Sequence, residues 1–342
     1  MASSGKLLRV AVSLGFAAVL LFFFLRSLDF AAVGRAIRNA HGGWLSLSVL
    51  TGLFSTPVLR SWRWRLFLKG FPTRTWDLNS ATSIGFAAST LLPARAGEIV
   101  RPVALSRAAG IPLAPCIASV GLERLFDLIV TVSLFVTYAL FWEPKGMTGD
   151  EASRFALLRR LAYVLGAGTI AGVAFLATFA ARRDLTDRML APLVRVLPLK
   201  IGAKLSSILH SFLDGLGALR TAKDVVVLAV FSAVIWLIIC FQIHATLRAF
   251  DLVFPYPVTF FLLTWAVMGL AIPTPGGVGG YHVAIAYALT GFYGVPKDTA
   301  AAFALVSHAI SFAPITLLGL AFLLAGGFSL TKLAQERETG GR

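Results

Sequence analysis

The chain has 342 residues, of which 57% are hydrophobic and only 14% charged, with a mean hydropathy of +0.81 and a net charge of +15. Soluble domains carry about 25% charged residues, so a soluble globular domain is excluded and an all-α polytopic membrane protein is expected. The positive charge does not point to nucleic acid, because no basic run is joined to a recognition motif. Basic residues gathered in cytoplasmic loops are the better reading, since they set membrane topology.

Residues 7–25, where Lys6 and Arg9 stand ahead of an apolar run to Leu25 without a clear cleavage site, are read as an uncleaved first span. Residues 26–42 are expected to be a loop with Arg26, Arg35 and Arg38, and 43–59 a second span. Then comes Arg60-Ser61-Trp62-Arg63-Trp64-Arg65. Arginine with interleaved tryptophan fits a headgroup-level anchor, with Arg60, Arg63 and Arg65 as the interface basic residues. A specific lipid-phosphate site there is the alternative. The apolar run 78–92 is about 15 residues, roughly 22 Å as a helix, against a hydrocarbon core of ~30 Å. Residues 94–109 carry Arg95, Glu98, Arg101 and Arg107 and cannot face lipid. The segment 78–109 therefore reads as a re-entrant hairpin entering from the cytoplasmic side, because irregular backbone at depth must be buried in protein or line a wet cavity.

Residues 115–142 form a long span with Glu123, Arg124 and Asp127 in its first half. Residues 143–160 read as an external loop and 161–181 as a span. The stretch 182–223 is strongly basic and cytoplasmic. Within it Leu205, Ile208, Leu209, Phe212, Leu213, Leu216 and Leu219 repeat at helical spacing, an amphipathic helix lying on the membrane or packed under the bundle. Residues 224–247 span again. Residues 258–272 are too short to cross, Pro273 to Gly280 break the helix, and 281–293 returns, so 258–293 reads as a second hairpin, opening to the exterior. Residues 300–325 are the last span. The expectation is about six full transmembrane helices and two oppositely oriented re-entrant hairpins. Lys and Arg then favour the inside about two to one, with both termini cytoplasmic.

The two breaks line up. Leu92-Pro93 matches Ile272-Pro273, and Gly110-Ile111-Pro112 matches Gly294-Val295-Pro296. Glu98 to Arg124 and His282 to His308 span the same 26 positions. Paired broken segments in corresponding halves point to an inverted pseudo-repeat with a transport site near the midplane.

A charge at the bilayer centre costs at least ~2.5–3.5 kcal/mol, so these charges must be partnered. On helices Arg95 and Glu98, Glu98 and Arg101, and Arg124 and Asp127 are i,i+3 pairs, and Glu123 and Asp127 are i,i+4. Arg95, Glu98, Arg101, Glu123, Arg124 and Asp127 could form a closed ion-pair network pinning the first hairpin to the following span. They could equally line a cavity that binds a charged lipid headgroup, and both can hold at once. In the second half Gly276, Gly277, Gly279 and Gly280 allow close backbone approach, and freed N–H groups opening the next helix would attract an anion such as a phosphate diester. Hairpin-tip geometry alone is the alternative. Tyr281, His282 and His308 complete this group. The histidines could hydrogen-bond each other's segments, contact phosphate or relay protons. No Asp, Glu or Cys stands near them at metal-ligand spacing. Cys116 and Cys240 read as buried small hydrophobes. The Gly-Gly-Val-Gly-Gly run follows no strand and is no dinucleotide fingerprint, and no cofactor is expected.

On Leu92-Pro93-Ala94-Arg95-Ala96-Gly97-Glu98 with Arg101, on Glu123-Arg124 with Asp127, and on Pro273-Thr274-Pro275-Gly276-Gly277-Val278-Gly279, the chain resembles the flippase-like membrane family. That family is also called the lysylphosphatidylglycerol synthase transmembrane region and includes UPF0104-type bacterial inner-membrane proteins. There the second hairpin commonly continues to a glutamate, with an arginine in the last span; here His282 and His308 stand at those positions. The resemblance implies a protein of the bacterial cytoplasmic membrane that moves a phospholipid or lipid-linked intermediate between leaflets. Its partners would be membrane lipids with an anionic or phosphate-bearing headgroup, and lipid-synthesis enzymes. Some relatives carry a soluble aminoacyl-transferase domain after the membrane region; none is expected here, nor is enzyme activity. A membrane-embedded enzyme or a scaffold in lipid or lipid-linked glycan synthesis is the alternative.

Overall fold

In the computed structural model the described residues are 28–92, 96–142, 150–181, 222–272 and 274–325, with scattered positions between 15 and 26. Most of the span expected at 7–25, the amphipathic helix expected within 182–223, Arg95 and Pro273 lie outside them. The described residues form ten helices and no strand. They are α1 (Phe30–Asn39), α2 (Gly42–Phe67), α3 (Thr75–Leu91), α4 (Gly97–Ala109), α5 (Leu113–Phe141), α6 (Asp150–Ala181), α7 (Ala222–Ala249), α8 (Val258–Ala271), α9 (Gly280–Tyr293) and α10 (Lys297–Ala325). Five are long and apolar enough to cross a membrane: α2, α5, Phe155–Ala174 within α6, Lys223–Ala249 within α7, and α10.

The other helices matter for what they cannot do. α3 has 17 residues, α4 has 13, and α8 and α9 have 14 each. At 1.5 Å per residue these reach roughly 20–26 Å, short of a ~30 Å core. They form two antiparallel pairs, α3 on α4 and α8 on α9. Glycine lets each pair close: a Cβ on Gly97 would lie 1.8 Å from the Gly85 carbonyl oxygen, and one on Gly280 would lie 2.4 Å from the Gly269 carbonyl oxygen. Both pairs also end alike. Gly110 stops α4 at φ 66 and Gly294 stops α9 at φ 62, the left-handed geometry that ends a helix. A buried Ile111 or Val295 and a proline follow.

The element order is therefore long helix, short pair, long helix, given twice: α2, α3/α4, α5, then α7, α8/α9, α10. α2 packs on α7. α3 lies along α10 and α8 along α5, so each short pair leans on the closing long helix of the other half. The two breaks also meet. Gly276, in the turn Pro275–Gly277 between α8 and α9, sits so that a Cβ would be 3.1 Å from the Thr90 carbonyl oxygen near the end of α3. One apolar core joins α7 to α10 around Phe261, Leu289 and Phe303, and another gathers Trp64, Leu78, Leu105 and Leu122. Lipid tails are as apolar as these side chains, so close packing rather than escape from water holds such helices together.

Three local expectations change. The loop expected over 26–42 contains α1, because Asp29 accepts hydrogen bonds from the Ala31 N–H at 2.8 Å and the Ala32 N–H at 3.2 Å and so caps a helix. The second half of the expected external loop, from Asp150 on, is the start of α6. The third concerns α2, which does not stop at residue 59. It passes through a π-turn over Phe54–Leu59 that contains Pro57, and the Arg60 N–H bonds the Ser55 carbonyl five residues back. Pro57 has no N–H to give the normal ladder, and the looser turn carries the helix on to Phe67.

Candidate functional site

Because α2 continues, Arg60 and Arg63 leave the surface expected for them. They share an inward face with Trp64 and Phe67, while Trp62 is 46% exposed and Arg65 is exposed on the outside, donating to the Thr73 carbonyl at 2.7 Å. The headgroup-anchor expectation is thus corrected for Arg60 and Arg63, which are 5% and 0% exposed. Their spacing of three matches the spacing of four between Glu123 and Asp127 on α5, and the four side chains meet. Arg60 Nη1 lies 3.0 Å from Asp127 Oδ2 and 3.7 Å from Glu123 Oε1. Arg63 donates to Asp127 Oδ1 at 2.7 Å and to Ser232 Oγ of α7 at 2.8 Å, with Nη2 3.2 Å from Glu123 Oε1. From α4, Arg101 donates to Glu123 Oε1 at 2.8 Å. Arg124 reaches Glu123 Oε1 at 2.9 Å and Asp127 Oδ2 at 3.3 Å. Tryptophans complete the packing: Trp236 Nε1–H donates to Asp127 Oδ1 at 2.9 Å, and the Arg101 guanidinium lies 4.0 Å over the Trp64 ring.

This network is not neutral. Four guanidinium groups surround two carboxylates. Arg101, only 4% exposed, has Nε and Nη2 without a hydrogen-bond partner. Buried ion pairs barely repay their desolvation even when charges balance, so a surplus of buried cation is expensive to keep. The surplus opens on one side. A cavity of about 60 Å³ is lined by Gly85, Phe86, Ser89, Gly97, Glu98, Val120, Arg101 and Arg124. The Arg124 side chain is 40% exposed there. Gly97 and Glu98 are the first residues of α4, so the positive end of that helix adds to the field. The space holds a few water-sized groups, as the oxygens of one phosphate are. Of the residues expected in the first half, Glu98, Arg101, Glu123, Arg124 and Asp127 are brought together, joined by Arg60 and Arg63.

The second group is also brought together, but as a tied turn. The Gly279 N–H donates to His282 Nδ1 at 3.2 Å, and His308 Nε2 lies 2.8 Å from the Gly276 carbonyl oxygen, to which it donates. Tyr281 and Ser307 share a hydrogen bond of 2.9 Å, and the His282 and His308 rings are 4.6 Å apart. Gly276, Gly277 and Gly279 all have positive φ, which explains the glycines. Gly280, Tyr281 and His282 are buried. Ahead of α9 the Gly277 N–H bonds the Thr274 carbonyl and the Gly279 N–H bonds His282. The turn rests on Thr90, next to Ser89 in the cavity wall. A larger cavity of about 600 Å³ lies between the start of α2 and the end of α7, but its acid and base already face each other across 3.0 Å, His41 to Asp251.

The family profile of the lysylphosphatidylglycerol synthase TM region matches residues 7–319. The chain belongs to that family and is a multi-pass membrane protein. It is 26% identical to a protein named Glycosyltransferase AglD from Haloferax volcanii, over 81% of this chain and 48% of that one, so it spans about half of that relative's length. It is also 26% identical to a UPF0104 membrane protein from Methanothermobacter thermautotrophicus, over 78% of each chain.

Proposed function

We propose that this protein is a flippase-like transporter that passes the headgroup of a phospholipid or lipid-linked intermediate through the cavity at Arg101 and Arg124 while the acyl chains stay in lipid. The observation that carries the reading is the buried surplus of arginine over carboxylate beside a cavity whose wall includes Arg101 and Arg124. The short helix pairs α3/α4 and α8/α9 are taken as re-entrant hairpins entering from opposite faces of the bacterial cytoplasmic membrane, both termini inside. Their meeting at Gly276 and Thr90, and the reciprocal packing of α3 on α10 and α8 on α5, support an inverted repeat of the kind that carries binding sites at the midplane. Tyr281, His282, His308 and the 276–280 backbone would shape the second hairpin's side of the path.

The test is lipid scrambling in proteoliposomes, comparing fluorescent phosphatidylglycerol, phosphatidylethanolamine and a polyprenyl phosphate. Selective movement of one lipid, lost in Arg124→Ala with the fold intact, is expected. Equal movement by wild type and a folded Arg124→Ala protein would overturn the reading. A second reading has its own support: one relative is named a glycosyltransferase. There the membrane region would act in, or hold together, the assembly of a lipid-linked glycan. Recovery of a chemically altered lipid after incubation would favour it.

A further inference from the structure

We infer that the cavity at Arg101 and Arg124 selects a phosphodiester monoanion over a phosphomonoester dianion, and that the Glu98 carboxylate sets this selection. The inference rests on the headgroup-site reading above and names the chemistry of its guest.

The charges around the cavity can be counted. Among the described residues, Arg60, Arg63, Arg101 and Arg124 bring four positive charges to the network, and Glu123 and Asp127 bring two negative ones. Glu98 is a third carboxylate, on the wall of the same cavity as Arg101 and Arg124. One positive charge is left over. A buried charge must be matched to be tolerated, so a guest with one negative charge neutralises the site. A phosphodiester carries that single charge. A phosphomonoester carries about 1.5–2 at neutral pH, and its second charge would face Glu98 with no cation left for it.

The donors fit an oxyanion. Arg101 Nε and Nη2 are unpartnered in a side chain that is almost wholly buried, and Arg124 Nε is unpartnered as well. Arg101 is held over Trp64 while its Nη1 is fixed by Glu123, so its guanidinium keeps one place beside the cavity. Guanidinium edges bind phosphate oxygens in pairs. Glu98 accepts only, so it repels a second phosphate charge while leaving the first one its donors. It is exposed, so its replacement leaves the packed network in place.

The experiment uses the full chain in a neutral, phosphate-free maltoside detergent. Dioleoyl phosphatidylglycerol and dioleoyl phosphatidic acid are titrated at pH 8, and binding is read from thermal stabilisation and from tryptophan fluorescence. Wild type is expected to bind the phosphodiester severalfold more tightly. Glu98→Gln shifts the ratio about tenfold toward the monoester, the scale of one unit charge near a partly wet site, and Glu98→Asp keeps the wild-type ratio. Without any variant, wild-type affinity for phosphatidic acid should fall as pH rises through its second ionisation, while affinity for phosphatidylglycerol stays level. An unchanged ratio in Glu98→Gln, or a phosphatidic acid affinity that does not fall, overturns the role of Glu98. If neither anionic lipid stabilises the protein over phosphate-free detergent alone, the headgroup site itself is refuted.

Discussion

Asp127→Asn is the sharpest test of the network. The substitution keeps the size and shape of the side chain and removes one negative charge. In the wild type Oδ1 accepts from Arg63 at 2.7 Å and Trp236 at 2.9 Å, while Oδ2 faces Arg60 at 3.0 Å and Arg124 at 3.3 Å. Every neighbour is a donor. The asparagine amide must therefore point its NH₂ at donors whichever way it is turned. Four guanidinium groups would remain around Glu123 alone. Removing one partner of a buried pair costs ~3–5 kcal/mol, a large part of a typical ~5–15 kcal/mol of stability. That corresponds to a fall in melting temperature on the order of 10 °C, measured by intrinsic fluorescence of the protein in detergent. A variant melting within about 2 °C of wild type, well under the expected shift, would refute the claim that Asp127 balances the arginines.

Other perturbations separate scaffold from site. Gly97→Val puts a Cβ 1.8 Å from the Gly85 carbonyl oxygen, so the first helix pair cannot close; a loss of at least ~2 kcal/mol and poor recovery of folded protein are expected on expression and gel filtration. His308→Ala removes the donor to Gly276 and should cost ~1–2 kcal/mol, with faster hydrogen exchange confined to residues 274–279. Lys69 and Asp224 pair across the ends of α2 and α7, but Lys69 is half exposed; a double-mutant cycle should find a coupling of no more than ~1 kcal/mol.

Much of this layout is written in local signals. The Gly-Ile-Pro and Gly-Val-Pro triplets mark two helix ends that adopt nearly the same backbone geometry, because glycine is the residue for a left-handed stop and proline cannot continue a helix. The spacing of Glu123, Arg124 and Asp127 gives the shared face of α5. The roles of Arg60 and Arg63 are hidden for a physical reason. Arginine beside tryptophan serves equally at a headgroup interface and in a buried cation–π cluster, and hydropathy cannot tell them apart. A signal was present: Arg60 and Arg63 stand three apart, and the long span carries two carboxylates, Glu123 and Asp127, against the single arginine Arg124. α1 is hard to read from sequence because Arg35 and Arg38, following Arg26, look like a loop, although Asp29 stands where a capping residue belongs.

The π-turn in α2 has a consequence of its own. One additional residue in a helix turns everything beyond it by about 100° while moving it along the axis by only about 1.5 Å. The first half of α2 faces α7 through Ser48, whose hydroxyl bonds the Gln242 carbonyl and meets Thr246, and that seam lies ahead of the π-turn and is unaffected by it. Beyond the turn, the same helix presents two guanidinium groups to α5. Excision of a single residue between Phe54 and Leu59 would leave composition, span length and hydropathy almost untouched, yet it would swing both cations away from their carboxylates. The phase of the helix, a quantity that hydropathy does not measure, decides whether the middle of this membrane protein is charged.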